Sequence, residues 1–144
     1  MAKRKTKIFI SYRRQDNPEF VERIRDWFII HYGRDNVFID FDTIPPFVKF
    51  DDFIREKVEE SDVVVAIIGP DWLKLLKEKA TNFEEDYVRI EIALALKLGK
   101  LVAPICIKGA QVPRPADLPD ELRAMLAYNA AFLNSGREFL ERVC

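Results

Sequence analysis

Glu91 lies in the run Asp86-Tyr87-Val88-Arg89-Ile90-Glu91-Ile92-Ala93-Leu94-Ala95-Leu96-Lys97-Leu98, which reads as a helix ended by Gly99. At about 100° per residue, Asp86, Arg89, Ala93 and Lys97 gather on one side, and Tyr87, Val88, Leu94, Ala95 and Leu98 on the other. Glu91 falls in the middle of the apolar side, one turn from Tyr87 and one turn from Ala95. A carboxylate in that place is costly unless something satisfies it. Position alone leaves two readings: a core-edge Glu paired to a basic residue, or a functional carboxylate in a cleft.

Other groups with chemical capacity cluster in two loops. Ser11-Tyr12-Arg13-Arg14 follows the first apolar run, and Trp72 stands in the turn Gly69-Pro70-Asp71-Trp72. Arginine pairs with phosphate, often bidentately. The faces of Tyr12, Trp72 and Tyr87 suit stacking on a base. A carboxylate accepts hydrogen bonds from ribose hydroxyls and stabilises a positive sugar centre. Together they match a dinucleotide with a cationic leaving group. The plainer alternatives are a solvated Arg13–Arg14 pair and a Trp72 that anchors packing.

Several chemistries are excluded. The segment Ser11 to Asp16 has no glycine, so it is neither a P-loop nor a dinucleotide fingerprint. A phosphoacceptor domain needs an Asp where Ile67-Ile68-Gly69 stands. His31 is the one histidine, so no Ser or Cys has a partner for nucleophilic catalysis. Cys106 and Cys144 have no metal-ligand spacing and form no disulfide framework, which fits a reducing, cytoplasmic compartment. A net charge of −1 argues against a nucleic-acid or membrane surface. No apolar run nears the roughly 18 residues of a membrane span, and Met1 to Lys7 lacks a signal-peptide core.

Five apolar runs position these groups. Lys7 to Tyr12, Val37 to Ile39, Val63 to Ile68 and Leu101 to Ile107 read as strands, with a weaker fifth over Tyr128 to Leu133. Val63 to Ile68 is apolar without alternation, as in a strand covered on both faces. Helical patterns intervene: Asn17-Pro18 to about His31, Asp51-Asp52 through Val58, Leu73 to Lys79, the Glu91 helix, and Pro119 to Leu126. The alternation predicts an α/β fold: a flavodoxin-like, doubly wound, five-stranded parallel sheet of order 2-1-3-4-5 with helices on both faces. Ligands then sit beyond the carboxyl ends of strands 1 and 3, where Ser11 to Asp16, Gly69 to Trp72 and the start of the Glu91 helix meet. The single domain spans 6–143. Its last helix, Ser135 to Val143, is cut short, as expected of a domain excised from a longer protein.

The sequence resembles a Toll/interleukin-1 receptor (TIR) domain of the bacterial kind. The carriers are Ile8-Phe9-Ile10-Ser11-Tyr12-Arg13-Arg14, Val37-Phe38-Ile39-Asp40, Ile44-Pro45-Pro46, Ser61-Asp62-Val63-Val64-Val65 leading into Gly69-Pro70-Asp71-Trp72-Leu73, and Arg89-Ile90-Glu91-Ile92, in the family's order. The resemblance implies the flavodoxin-like fold. It also implies NAD+ hydrolysis by a single Glu, matched by Glu91, in an immune, antiphage or signalling context, with linear or cyclic ADP-ribose as product. NAD+ is then the substrate and no resident cofactor or metal is expected. Substrate contacts would come from Ser11, Tyr12, Arg13, Arg14, Trp72 and Tyr87, with Tyr87 standing where the family often has Trp. The loop carrying Ile44, Pro45, Pro46, Phe47 and Val48 would serve self-association, although Phe47 replaces a common Gly. A fused sensor or oligomerisation domain outside this chain is the implied trigger. The alternative is a non-catalytic TIR scaffold that binds other TIR domains.

Overall fold

The computed structural model describes residues 6–39 and 49–133. Five strands form one sheet: β1 (Ile8–Ser11), β2 (Val37–Ile39), β3 (Val63–Ile68), β4 (Leu101–Ile107) and β5 (Ala131–Leu133). Their order is β2-β1-β3-β4-β5, and every pairing is parallel. The register places Ser11 beside Ala66 and Ile68 beside Cys106, so β1 and β3 end at the same edge. This is the doubly wound topology expected from the alternation of elements.

Among the described residues four α-helices cover the sheet: α1 (Pro18–Tyr32), α2 (Phe50–Glu60), α3 (Trp72–Thr81) and α4 (Tyr87–Lys97). Side chains alternate across a strand, and the two cores follow that period. Phe9, Val64, Ala66 and Ile68 point to the face where Ile54, Val58, Trp72, Val88, Ile92 and Ala95 pack. Ile8, Ile10, Val65 and Ile67 point to the other, against Phe20, Val21 and Ile24 of α1. Burying a Val or Ile stabilises by about 1.5–3 kcal/mol, so β3, with five of six residues buried, is the natural spine.

The helix ends explain their lengths. Pro18 opens α1, where its missing N–H costs nothing. Asn17 does not cap it through its side chain. Its backbone is left-handed (φ 58°), and its amide bonds to Asp16 instead. At the end of α4, the Lys100 N–H bonds to Ala95 O (2.9 Å) and the Gly99 N–H to Leu96 O (3.2 Å). With Gly99 at φ 72°, this is a Schellman stop. The stretch expected as a helix from Pro119 is a 3₁₀ helix, Asp120–Ala127, and a shorter one covers Pro115–Asp117.

Among the described residues no helix is long and apolar enough to cross a membrane. The loop with Ile44 to Val48, expected to serve self-association, and the helix expected over Ser135 to Val143 lie outside the described residues.

Candidate active site

The site begins where β1 and β3 end, at the point where strand order reverses. Ser11 closes β1. Its Oγ is buried and makes no hydrogen bond among the described residues. The chain turns through Tyr12 to Asp16, with the Asp16 N–H on Arg13 O at 2.9 Å. Asp16 then locks this loop to the one after β3: its Oδ2 accepts the Asp71 N–H at 3.2 Å, and its Oδ1 accepts the Asn17 amide at 3.0 Å. Burial pushes the Asp16 carboxyl above its ordinary pKa, and the Asn17 hydrogen bond partly offsets that.

Gly69 exists because of this lock. A Cβ there would lie 2.4 Å from the Asp16 carboxyl carbon and both its oxygens. Asp16 is short, buried and bonded at both oxygens, so it cannot swing away without losing those bonds. Gly69→Ala is predicted to destabilise the fold by roughly 1–3 kcal/mol, the range for overpacking a filled site. The urea midpoint measures it, and an unchanged midpoint would show that the loops yield freely.

The groove between the β1 loop and the start of α4 is a cleft of about 300 Å³. Tyr12, Arg13, Arg14 and Gln15 form one wall, Glu85 to Val88 the other, and Lys79 of α3 stands at its side. Tyr87 is half-buried, and its hydroxyl donates to Glu85 at 3.0 Å. Arg14 is exposed and Tyr12 buried.

Arg13 is not a solvated cation. Its Nη1 and Nη2 each donate to an Asp86 carboxylate oxygen at 2.9 Å, and both residues are buried. The guanidinium also sits over the Trp72 ring, 5.2 Å from its centroid. Trp72 is fully buried in the core on the α4 side of the sheet. Its ring therefore meets Arg13 and core side chains, not the cleft, and it does not line that wall.

Glu91 occupies the second turn of α4 and is 0% exposed. It does not line the cleft; Tyr87 and Val88, about one turn nearer the helix start, do. The carboxylate thus stands about one helical turn further along α4 than the residues of that wall.

Two further residues escaped the sequence reading. Asp86, grouped there with Arg89, Ala93 and Lys97 on the side of the helix opposite the apolar one, turns in to Arg13 while its carboxylate caps the Arg89 N–H at 3.4 Å. Lys79, near the end of α3, lines the cleft, a placement its own sequence neighbourhood does not signal. Burial pushes the Cys106 thiol up to about 11, so it is inert as a nucleophile near neutral pH. Among the described residues no group of His, Cys, Asp and Glu is arranged to hold a metal.

A family model described as TIR domain matches residues 8–140. Among solved structures, the CMP N-glycosidase BcmB of Clostridium botulinum is similar, with a TM-score of 0.55 and 16% sequence identity. The match covers 96% of this chain and 97% of that one. At that identity the likeness shows the shared fold alone.

Proposed function

The chain belongs to the TIR domain family, and on that premise we propose that it is an NAD+ nucleosidase that hydrolyses the nicotinamide–ribose bond. One observation carries the reading: a fully buried carboxylate, Glu91, stands about one helical turn beyond Tyr87 and Val88, which line the cleft at the switch point of the sheet. In the reaction, the C1′–N bond of the ribose breaks and its electron pair leaves with nicotinamide. Water adds to C1′ and gives up a proton, leaving ADP-ribose. Attack by the adenine ring in place of water gives the cyclic isomer.

The transition state resembles an oxocarbenium ion, as in glycosidases. Nicotinamide departs neutral from a cationic ring, so no general acid is required and one carboxylate suffices. Glu91 accepts from the ribose hydroxyls and stabilises the positive sugar. The sugar reaches it when the cleft deepens past Tyr87, by about one helical turn or roughly 5 Å.

Because Arg13 is held by Asp86, the phosphates fall to the remaining cations of the cleft, Arg14 and Lys79. Among the described residues the ion-pair partner of Lys79 is Glu84, at a distant 3.9 Å. Arg14→Ala and Lys79→Ala are each predicted to raise KM for NAD+ by about tenfold, equivalent to roughly 1.4 kcal/mol, with kcat nearly unchanged. Unchanged KM in both variants would remove the phosphates from this wall.

The deciding experiment follows nicotinamide release from NAD+ over a hundredfold range of protein concentration. Specific activity that rises with concentration supports activation by self-association through the segment around Phe47. CMP belongs in the same assay, because the fold neighbour's named reaction also breaks an N-glycosidic bond. Cytosine release without nicotinamide release would move the substrate to a nucleoside monophosphate. Neither release at any concentration would leave the scaffold function, binding other TIR domains without chemistry.

A further inference from the structure

We infer that Arg13 and Asp86 are positioning residues: their buried ion pair fixes the first turn of α4, and with it Glu91, against the loop that follows β1. The catalytic half of this inference rests on the proposed role of Glu91; the mechanical tie does not.

The covalent approach to α4 does little to place it. The link from α3 runs through Asn82, Phe83, Glu84 and Glu85, all exposed, and Phe83 is 96% exposed with a left-handed backbone (φ 55°). The far end of α4 is closed by Gly99 and packs at Ile92 and Ala95. The near end is held by Val88 in the core, by the ion pair of Arg89 with Glu121, and by Asp86, which ties it to the loop after β1. The Asp86 side chain spends both oxygens on Arg13 and shares one with the Arg89 N–H.

Arg13 is itself well anchored. It stands two residues beyond the end of β1, and Trp72 supports the face of its guanidinium. A planar fork meeting a carboxylate at two points sets distance and orientation together. Buried pairs of this sort are weak evidence for net stability, and fixing register is their best-attested use. Glu91 follows Asp86 by five residues, about 7.5 Å along the helix. Misplacing a reacting group by about 1 Å can cost roughly a hundredfold in rate.

The test must avoid stranding a buried charge, which a single substitution of either partner would do. The double variant Arg13→Met with Asp86→Asn removes both charges and keeps a capping side chain, since Asn caps as well as Asp. Arg13→Lys keeps the charge but gives up the fork. Hydrogen exchange is read at the amides of Ile90 to Ala93, with Val64 to Ile67 of β3 as the internal reference. Release of nicotinamide from NAD+ is read as kcat and KM separately.

The expected result is a folded double variant whose Ile90–Ala93 amides exchange at least tenfold faster, with β3 unchanged. Its kcat falls at least tenfold while KM stays within about threefold, and Arg13→Lys lies between it and the wild type. Wild-type exchange at Ile90–Ala93 in the folded double variant would overturn the tie. Faster exchange with undiminished kcat would overturn the positioning role. If the wild-type protein releases no nicotinamide, the proposed function fails, and the exchange rates still decide the tie.

Discussion

Glu91→Gln is expected to lower nicotinamide release at least a hundredfold while leaving the fold intact. The argument starts from burial. Glu91 is 0% exposed, so its charge acts where the effective dielectric is far below that of water. A charge placed beforehand next to a developing cation needs no reorganisation when the bond breaks, and removing one such group costs about 10²–10³ in rate. Gln has the same shape and keeps an acceptor oxygen, so packing beside Val88 and Ala95 survives. What disappears is the negative charge. The effect should fall on kcat with less change in KM, because the cationic sugar exists only near the transition state. Far-UV circular dichroism and the melting curve check the fold. Undiminished release from a folded Glu91→Gln protein would end the assignment of catalysis to this residue.

The fold was legible in the chain because its signals are local and repeat. Val63 to Ile68 has no polar residue, and a strand so composed must be covered on both faces; α1 lies on one face and α2 and α4 on the other. Pro18 and Gly99 marked helix ends through backbone chemistry that depends on no distant neighbour.

The site was legible only in part, because its decisive contacts cross the fold. A helical wheel orders residues around one axis and does not say what approaches the first turn. Asp86 therefore grouped with Arg89, Ala93 and Lys97 on the side opposite the apolar one, although Arg13, 73 residues away, closes on it. The same contact changes the reading of Arg13: adjacent Arg13 and Arg14 look alike in sequence, yet one is buried in an ion pair and the other lies open in the cleft. Gly69 looked like an ordinary turn glycine, and only the Asp16 carboxylate pressed against it shows why no Cβ fits. The 3₁₀ helix Asp120–Ala127 carries a helical period that does not distinguish it from an α-helix.

Trp72→Ala is expected to destabilise the protein by about 3–5 kcal/mol, the cost of truncating a large buried aromatic. The ring is 0% exposed and packs among the side chains on the α4 side of the sheet. Its loss leaves a cavity at the start of α3 and takes away the surface under the Arg13 guanidinium. The cation–ring contact adds roughly 0.5–2 kcal/mol when shielded from water. Trp72→Phe separates the two effects. Phe fills less space and attracts the cation less strongly. It also removes the indole N–H, which is buried without a hydrogen-bond partner among the described residues and so stabilises nothing by bonding there. Trp72→Phe should therefore cost well under half as much as the Ala variant, as read from denaturant midpoints. Its NAD+ affinity per folded molecule should match the wild type, because the ring faces the core. If Trp72→Phe instead lost affinity tenfold at near-normal stability, the indole would be a stacking surface for the substrate, reached when the cleft opens. If Trp72→Ala were as stable as the wild type, the packing seen around this ring would not hold in solution.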